Sequence, residues 1–299
     1  MHNNKKVSIS IGGGLGDCIQ TYLANPESEI RDGENNFPTT NHRASLWLRR
    51  LESFKKIHND VEVALITTAH NKYTSDLFVT NPYIDYILEY EWTPPSDHHF
   101  RYWEHTQECC VEVKSTVDAE EEYNPIFWYY DYLDYSVADF NLFLTEEDKE
   151  ISGRIKPNRK YITCHPVAPP PRDILPLYKY LELQDILERK DISTVLLGMD
   201  NEYVNVRVSI DLILSSNGFA GTHSSMWLPA VYKAWRDDIK TVCFIPKHEH
   251  FTRIRGTAVA WGFDQPFNLL LEFDNKKTAS QLNMQEVADW IIDDNRKTI

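Results

Sequence analysis

An alternating apolar run, Val7, Ile9 and Ile11, ends in Gly12-Gly13-Gly14-Leu15-Gly16-Asp17, and a helical pattern follows. Glycine-rich turns between a strand and a helix let backbone N–H groups approach an anion, helped by the helix N-terminus. A carboxylate in that position repels an anion, so Asp17 points to another task, the acceptance of a proton. The spacing fits neither common phosphate fingerprint. Gly12 and Gly14 match the first two positions of G-x-G-x-x-G, but the third is Asp17, and no Lys-Ser/Thr follows as in a P-loop. A tight turn that binds nothing is the plainer alternative. Three consecutive glycines are more backbone freedom than packing needs.

Other chemically suggestive groups read more simply. His98, His99 and His105 with Glu104 match no zinc spacing and read as a solvated aromatic loop. Cys109 and Cys110 are adjacent and have no C-x-x-C partner. Cys164 and His165 could form a dyad, but a histidine at a strand end is the simpler reading. The basic stretch 246–255 could touch an anionic substrate or be an exposed loop. Seven aromatic residues within 123–135 could stack an acceptor or pack between the first domain and its neighbour, packing being the preferred reading. The basic run 49–56 and the acidic run 118–123 read as solvated faces.

The elements that position these groups alternate. Strands at 7–11, 61–68 and 84–90 are separated by helices after Asp17, over 42–59 (with Asn41 as its cap) and around 72–80, and 25–41 is a polar loop. The polar bridge 145–160 marks a boundary. The alternation then restarts with strands at 161–166, 193–198 and 240–246, a short 218–221, helices near 176–190 and 224–235, and an ambiguous 209–214. An amphipathic helix over 284–295 ends the chain. This order predicts an α/β protein with two Rossmann-like parallel-sheet domains facing a cleft. The first spans 1–150 and the second 151–283, with the terminal helix of 284–299 packing back on the first.

The 299 residues suffice for two domains. No apolar run is long enough to span a membrane, and the start lacks the zones of a signal peptide. Five cysteines fit reduced thiols in a cytoplasmic protein. With 45 acidic and 31 basic residues the net charge is −14, which argues against a main grip on nucleic-acid phosphates.

Five short segments resemble the heptosyltransferase-like glycosyltransferases, family 9, of GT-B architecture. "GGGLGDCIQT" (12–21) is similar to the family's G-[DN]-x-x-x-T signature, and "NPYIDYIL" (81–88) to its N-P-x-I-D-x-[IV] strand entry. "YITCHPVAPPPRDILP" (161–176) resembles its H-P-G-[AS] loop, "VLLGMDNE" (195–202) its [VI]-L-x-G-x-x-x-E segment, and "GFAGTHSSMWLPAVY" (218–232) its D-[ST]-G-x-x-H-L-A loop. The resemblance implies metal-independent, inverting transfer from a nucleotide-diphosphate-sugar, a co-substrate rather than a cofactor.

Carried over by position, Asp17 is the general base, its proton affinity raised by partial burial. Gly13, Gly14 and Gly16 let substrates pass close to the chain. Arg172 pairs the leaving diphosphate, and the 195–202 segment binds the donor through Gly198 and through Glu202, which holds ribose hydroxyls. Thr222, His223, Ser224 and Ser225 line the donor loop. This chain departs from the family with Val167 for a glycine, His223 for an aspartate and Ser225 for a glycine. The departures leave the donor open. The acceptor is open among saccharide, small molecule, protein and modified nucleobase in DNA. Two other readings stay open, a catalytically degenerate nucleotide-sugar-binding or scaffold protein and an epimerase that consumes donor without acceptor.

Overall fold

Val7, Ile9 and Ile11 are each buried on the first strand, β1 (Lys6–Ile11), as in a parallel sheet whose faces are covered by its crossover helices. The computed structural model describes residues 5–24, 41–68, 73–90, 123–167, 175–198, 204–237, 239–246, 266–274 and 276–293. The chain divides into two compact units, Met1–Phe143 and Leu144–Ile299.

In the first unit β1 is followed by α1 (Leu15–Leu23), α2 (His42–Leu48), α3 (Leu51–Ile57), β2 (Glu62–Thr68), α4 (Tyr73–Phe78), β3 (Tyr86–Tyr90) and the two-residue β4 (Asn124–Pro125). The sheet order is β3-β2-β1-β4, all parallel. Its register aligns Val7 with Val63 and Ile9 with Leu65, so the apolar positions stack across the strands.

The expected single helix over 42–59 is two helices. The chain turns at Arg49–Arg50, and Arg50 is buried there, its guanidinium donating to the carbonyls of Tyr135 (3.1 Å) and Leu46 (2.7 Å). Arg49 donates through Nε to the Ala138 carbonyl at 2.9 Å. These two cations therefore pin the 135–138 backbone, which corrects the reading of 49–56 as a solvated face. The aromatic tract behaves in two ways. Tyr130 and Tyr135 pack on Phe54 with ring centroids 4.9 and 5.3 Å apart, whereas Phe127 and Trp128 stay 41% and 65% exposed.

The second unit begins at Leu144, so the expected bridge of 145–160 belongs to it. Residues 146–155 form a helix, α5 (Glu146–Ile155), started by a reciprocal capping box in which Asp148 N–H donates to Thr145 Oγ1 and Thr145 N–H to the Asp148 carboxylate, both at 3.0 Å. Next come β5 (Tyr161–His165), α6 (Leu177–Glu188), β6 (Ser193–Leu196), α7 (Val206–Ser215), β7 (Gly218–Thr222), α8 (Trp227–Asp237), β8 (Lys240–Pro246), β9 (Asn268–Phe273), α9 (Lys276–Ser280) and α10 (Met284–Ile292). The ambiguous 209–214 stretch is thus helical, and β9 was not foreseen. The sheet is parallel in the order β6-β5-β7-β8-β9. Met284, Val287, Ala288 and Ile291 of α10 join the core made by Ile162, Tyr180, Leu183 and Phe244. The terminal helix spends this apolar face on its own unit. Among the described residues no helix is long and apolar enough to cross a membrane.

Candidate functional site

Both sheets have a topological switch point, where successive connections leave a central strand to opposite sides. In open α/β sheets ligands bind in the crevice outside the carboxyl ends of the strands at that point. In the first unit the strand is β1, with β2 on one side and β4 on the other, and its carboxyl end runs into the glycine turn. In the second unit the flanking strands are β5 and β7, whose ends carry His165 and Thr222–Ser225.

The glycine turn is shaped around Asp17. Gly13 has φ +99°, and a Cβ there would lie 2.5 Å from Asp17 Oδ2; only glycine tolerates both the conformation and the contact. Gly14 is the N-cap of α1, and its N–H donates to Asp17 Oδ2 at 2.9 Å. Gly16 and Asp17 both lie in the first turn and are half-buried. The carboxylate sits where a helix N-terminus favours negative charge. The side chain read as a base is therefore also a helix cap. One of its several acceptor positions is used by Gly14.

In the second unit Ser224 Oγ and His165 Nδ1 are 3.1 Å apart. Gly198, just after β6, has φ +79°, and a Cβ on it would come within 3.1 Å of Val167 Cγ2 and 3.8 Å of His165 Nε2. Val167, which replaces the family's glycine, is thus accommodated by Gly198. Burial pushes the His165 imidazole down to about 4, so at pH 7 the ring is neutral, with one nitrogen donating and the other accepting. When Nδ1 donates, the Ser224 proton is left for an outside acceptor.

This gives a first prediction. A histidine held below its ordinary 6.5 binds its proton later than in the unfolded chain, so its contribution to stability is present above pH 6.5 and is lost as pH falls toward 4. An NMR titration should show the folded imidazole unchanged from pH 8 to 5. A midpoint near 6.5 would refute the buried, neutral ring.

Three of the other foreseen residues fall into place differently. Thr222 and His223 are 1% exposed; the Thr222 hydroxyl lies 3.2 Å from that of Tyr180, and the His223 N–H donates to the Phe244 carbonyl. Thr222 is the last residue of β7 and His223 the first beyond it, at the same strand end as the likewise buried Ser224. Ser225 is half-buried, and its carbonyl accepts from Leu228 N–H as α8 begins. Cys164 is buried, with its thiol pushed up by burial. As the strand neighbour of His165 it points to the opposite face, so the two form no dyad. Arg172, Glu202, the 25–40 part of the polar loop, the 98–110 histidines and cysteines, the acidic run through 122 and the basic 247–255 lie outside the described residues. Among the described residues no group of three or more His, Cys, Asp or Glu side chains could hold a metal ion.

The sequence reading missed the partners: His165 for Ser224, and Asn41 for the glycine turn, which its amide bonds at Gly12. The H-P motif hinted at the first. Nothing local signalled the second, which spans 29 residues.

No protein-family profile and no curated protein matches the chain. Solved structures do. The glycosyl transferase family 9 structure from Veillonella parvula aligns over 96% of this chain and 96% of its own, at 12% identity and a TM-score of 0.50. The chain shares that fold. ADP-heptose LPS heptosyltransferase II of E. coli aligns over 95% of this chain and 97% of its own, at 11% identity and a TM-score of 0.48. The E. coli heptosyltransferase WaaC with ADP aligns over 95% and 96%, at 8% identity and a TM-score of 0.45. At such identities the likeness is one of fold. The family that the short motifs resemble is the one whose two-domain, Rossmann-like fold the chain reproduces.

Proposed function

We propose that the chain is a glycosyltransferase that moves a sugar, with inversion and without a metal, from a nucleotide-diphosphate-sugar to an acceptor hydroxyl. One observation carries this reading: the two strand ends where such a fold takes ligands hold the signature glycine turn with Asp17 and the His165–Ser224–Gly198 group.

In this reading the first unit is the acceptor side and the second the donor side. Asp17 accepts the proton of the acceptor hydroxyl as that oxygen attacks the anomeric carbon and the nucleoside diphosphate leaves. Gly13, Gly14 and Gly16 keep side chains out of the way. The leaving diphosphate is met by the Ser224 hydroxyl and by Ser225 at the start of α8, where the helix dipole favours negative charge. Arg172 and Glu202 take the diphosphate and the ribose hydroxyls, as the resemblance implies. The nucleotide-sugar is consumed as co-substrate and no resident cofactor enters. Phe127 and Trp128, exposed beyond β4, offer ring faces to an acceptor, a saccharide or other small molecule. The cytoplasm, where nucleotide-sugars are made, is the compartment this reading needs.

The test is a thermal-shift screen of ADP, GDP, UDP and CMP with their sugar conjugates. A ligand at a hundred times its Kd stabilises the folded state by about 2.7 kcal/mol. One nucleotide class should raise the melting temperature selectively. Ser224→Ala should weaken that ligand about tenfold, the worth of one hydrogen bond to a charged group. No shift with any nucleotide would overturn the donor site and favour a scaffold protein. A shift untouched by Ser224→Ala would remove Ser224 from it.

A further inference from the structure

Asn41 occupies the cap position of α2, yet its side chain makes no cap bond. Its amide reaches back to the glycine turn instead. Oδ1 accepts the Gly12 N–H at 2.8 Å, while Nδ2 donates to the Gly12 carbonyl at 3.0 Å and to Thr21 Oγ1 at 3.2 Å. The Thr21 hydroxyl donates in turn to the Asp17 carbonyl at 2.6 Å. The last ladder pair of β1 with β2 is Ile11–Thr67, so Gly12 is the first residue beyond that pairing. A primary amide offers a donor and an acceptor side by side, which is what the N–H and C=O of one residue require. Asn41 thus stands in for a missing strand partner. The same pattern fixes which end of its amide is oxygen.

We propose that Asn41 is the positioning residue of the glycine turn, holding Gly12 from one side and, through Thr21, the Asp17 backbone from the other. Around that clamp Gly13 is left-handed, the Gly14 carbonyl accepts from Cys18 N–H within α1 at 3.2 Å, and the Gly14 N–H donates three residues ahead, to Asp17 itself. That local bond sets the carboxylate relative to its own helix. It does not set the helix start relative to the sheet. The Asn41 amide makes that second connection, so the carboxylate stays in register with β1. It also gives the Thr of the G-D-x-x-x-T signature a physical task, since Thr21 is the relay between Asn41 and Asp17.

The consequence for catalysis rests on the transferase reading. A misplacement of about 1 Å at a reacting group costs roughly a hundredfold in rate. Asn41→Ala should lower kcat about 30- to 100-fold and leave donor KM within about twofold, because the donor is assigned to the other unit. Asn41→Asp keeps one acceptor but loses both donations and sets a carboxylate against the Gly12 carbonyl, so it should be no milder. Thr21→Val, similar in volume, should act in the same direction with a smaller loss of about three- to tenfold. The double variant Asn41→Ala/Thr21→Val should cost little more than Asn41→Ala alone, since linked groups do not add.

The decisive experiment pairs those kinetics with amide hydrogen exchange of the 7–23 peptide in wild type, Asn41→Ala and Thr21→Val. The proposal expects faster exchange in that peptide, unchanged exchange in second-unit peptides, and a kcat loss without a donor KM change. Unchanged exchange in 7–23 overturns it, as does faster exchange with wild-type kcat. A fall in donor binding together with faster exchange throughout the chain overturns it too, by making Asn41 merely a stabiliser of the fold. If Asn41→Ala does not fold, Thr21→Val decides by the same criteria. A wild-type protein that turns over no nucleotide-sugar overturns the transferase reading and the kinetic role with it; the clamp is then judged separately by the exchange data.

Discussion

Asp17→Asn is expected to abolish most sugar transfer, by about 10²- to 10⁴-fold, the usual worth of a general base, while leaving donor binding and folding close to wild type. The structure supplies the reason that this variant is informative. Asp17 Oδ2 accepts the Gly14 N–H at 2.9 Å, and the amide oxygen of Asn can accept the same bond, so the cap survives while the basic oxygen is lost. Asp17→Ala removes both. It should add a stability cost of about 1 kcal/mol for the missing cap to the same loss of transfer. The pair therefore separates the two roles of one side chain. Transfer rates are to be measured under saturating donor, with melting temperature beside them. Transfer that is normal in Asn and reduced in Ala only in proportion to stability would make Asp17 a cap and nothing more, and would favour the scaffold reading.

Much of this arrangement was legible in the residues. Buried parallel strands read as continuous or alternating apolar runs, so "VSISI", "VEVALIT" and "KTVCFIP" declared β1, β2 and β8. The glycine turn was legible because only a close approach needs so many glycines, and Gly13 indeed has Asp17 folded against it. The break between α2 and α3 was not legible. Arg49 and Arg50 sit in a run that looks like a solvated helix face, and only the distant carbonyls of Ala138 and Tyr135 show why they turn inward. Residues 145–160 read as a bridge because they are polar, although Thr145 and Asp148 already had the spacing of a capping box. Residues 222 and 223 were placed in the donor loop by motif position, and their burial at the end of β7 carries no sequence signal of its own. Local pattern reveals elements. Contacts made by single polar side chains across many residues, such as Asn41 with Gly12, leave no periodic trace.

Arg207→Ala should be the most damaging single substitution for the stability of the second unit. Asp148 is 1% exposed and Arg207 7%, and the guanidinium grips the carboxylate with two bonds, Nε to Oδ2 at 2.9 Å and Nη2 to Oδ1 at 3.2 Å. Asn205 Nδ2 adds a third at 2.5 Å, and its Oδ1 caps α7 by accepting from Val208 N–H. One carboxylate thereby ties the start of α5 to the start of α7. Burial alone would raise the Asp148 pKa, but the bonds from Arg207, Asn205 and the Thr145 N–H outweigh it and hold the carboxyl at about 2. Removing the cation leaves a buried charge without its partner, which costs about 3–5 kcal/mol. The double replacement Asp148→Leu/Arg207→Met, apolar on both sides, should recover a large part of that loss. Linkage adds a second signature. A carboxyl whose folded pKa lies below its unfolded 3.8 contributes stability that is fully present above about pH 4 and is lost as pH falls through 2. Its size is about 2 kcal/mol, and Arg207→Ala should flatten that acid limb as well as lower the plateau. Denaturant unfolding followed by hydrogen exchange in α5 and α7 measures both. A plateau lowered by less than about 1 kcal/mol, or an acid limb of unchanged depth, would mean that the pair is not what joins the two helix starts.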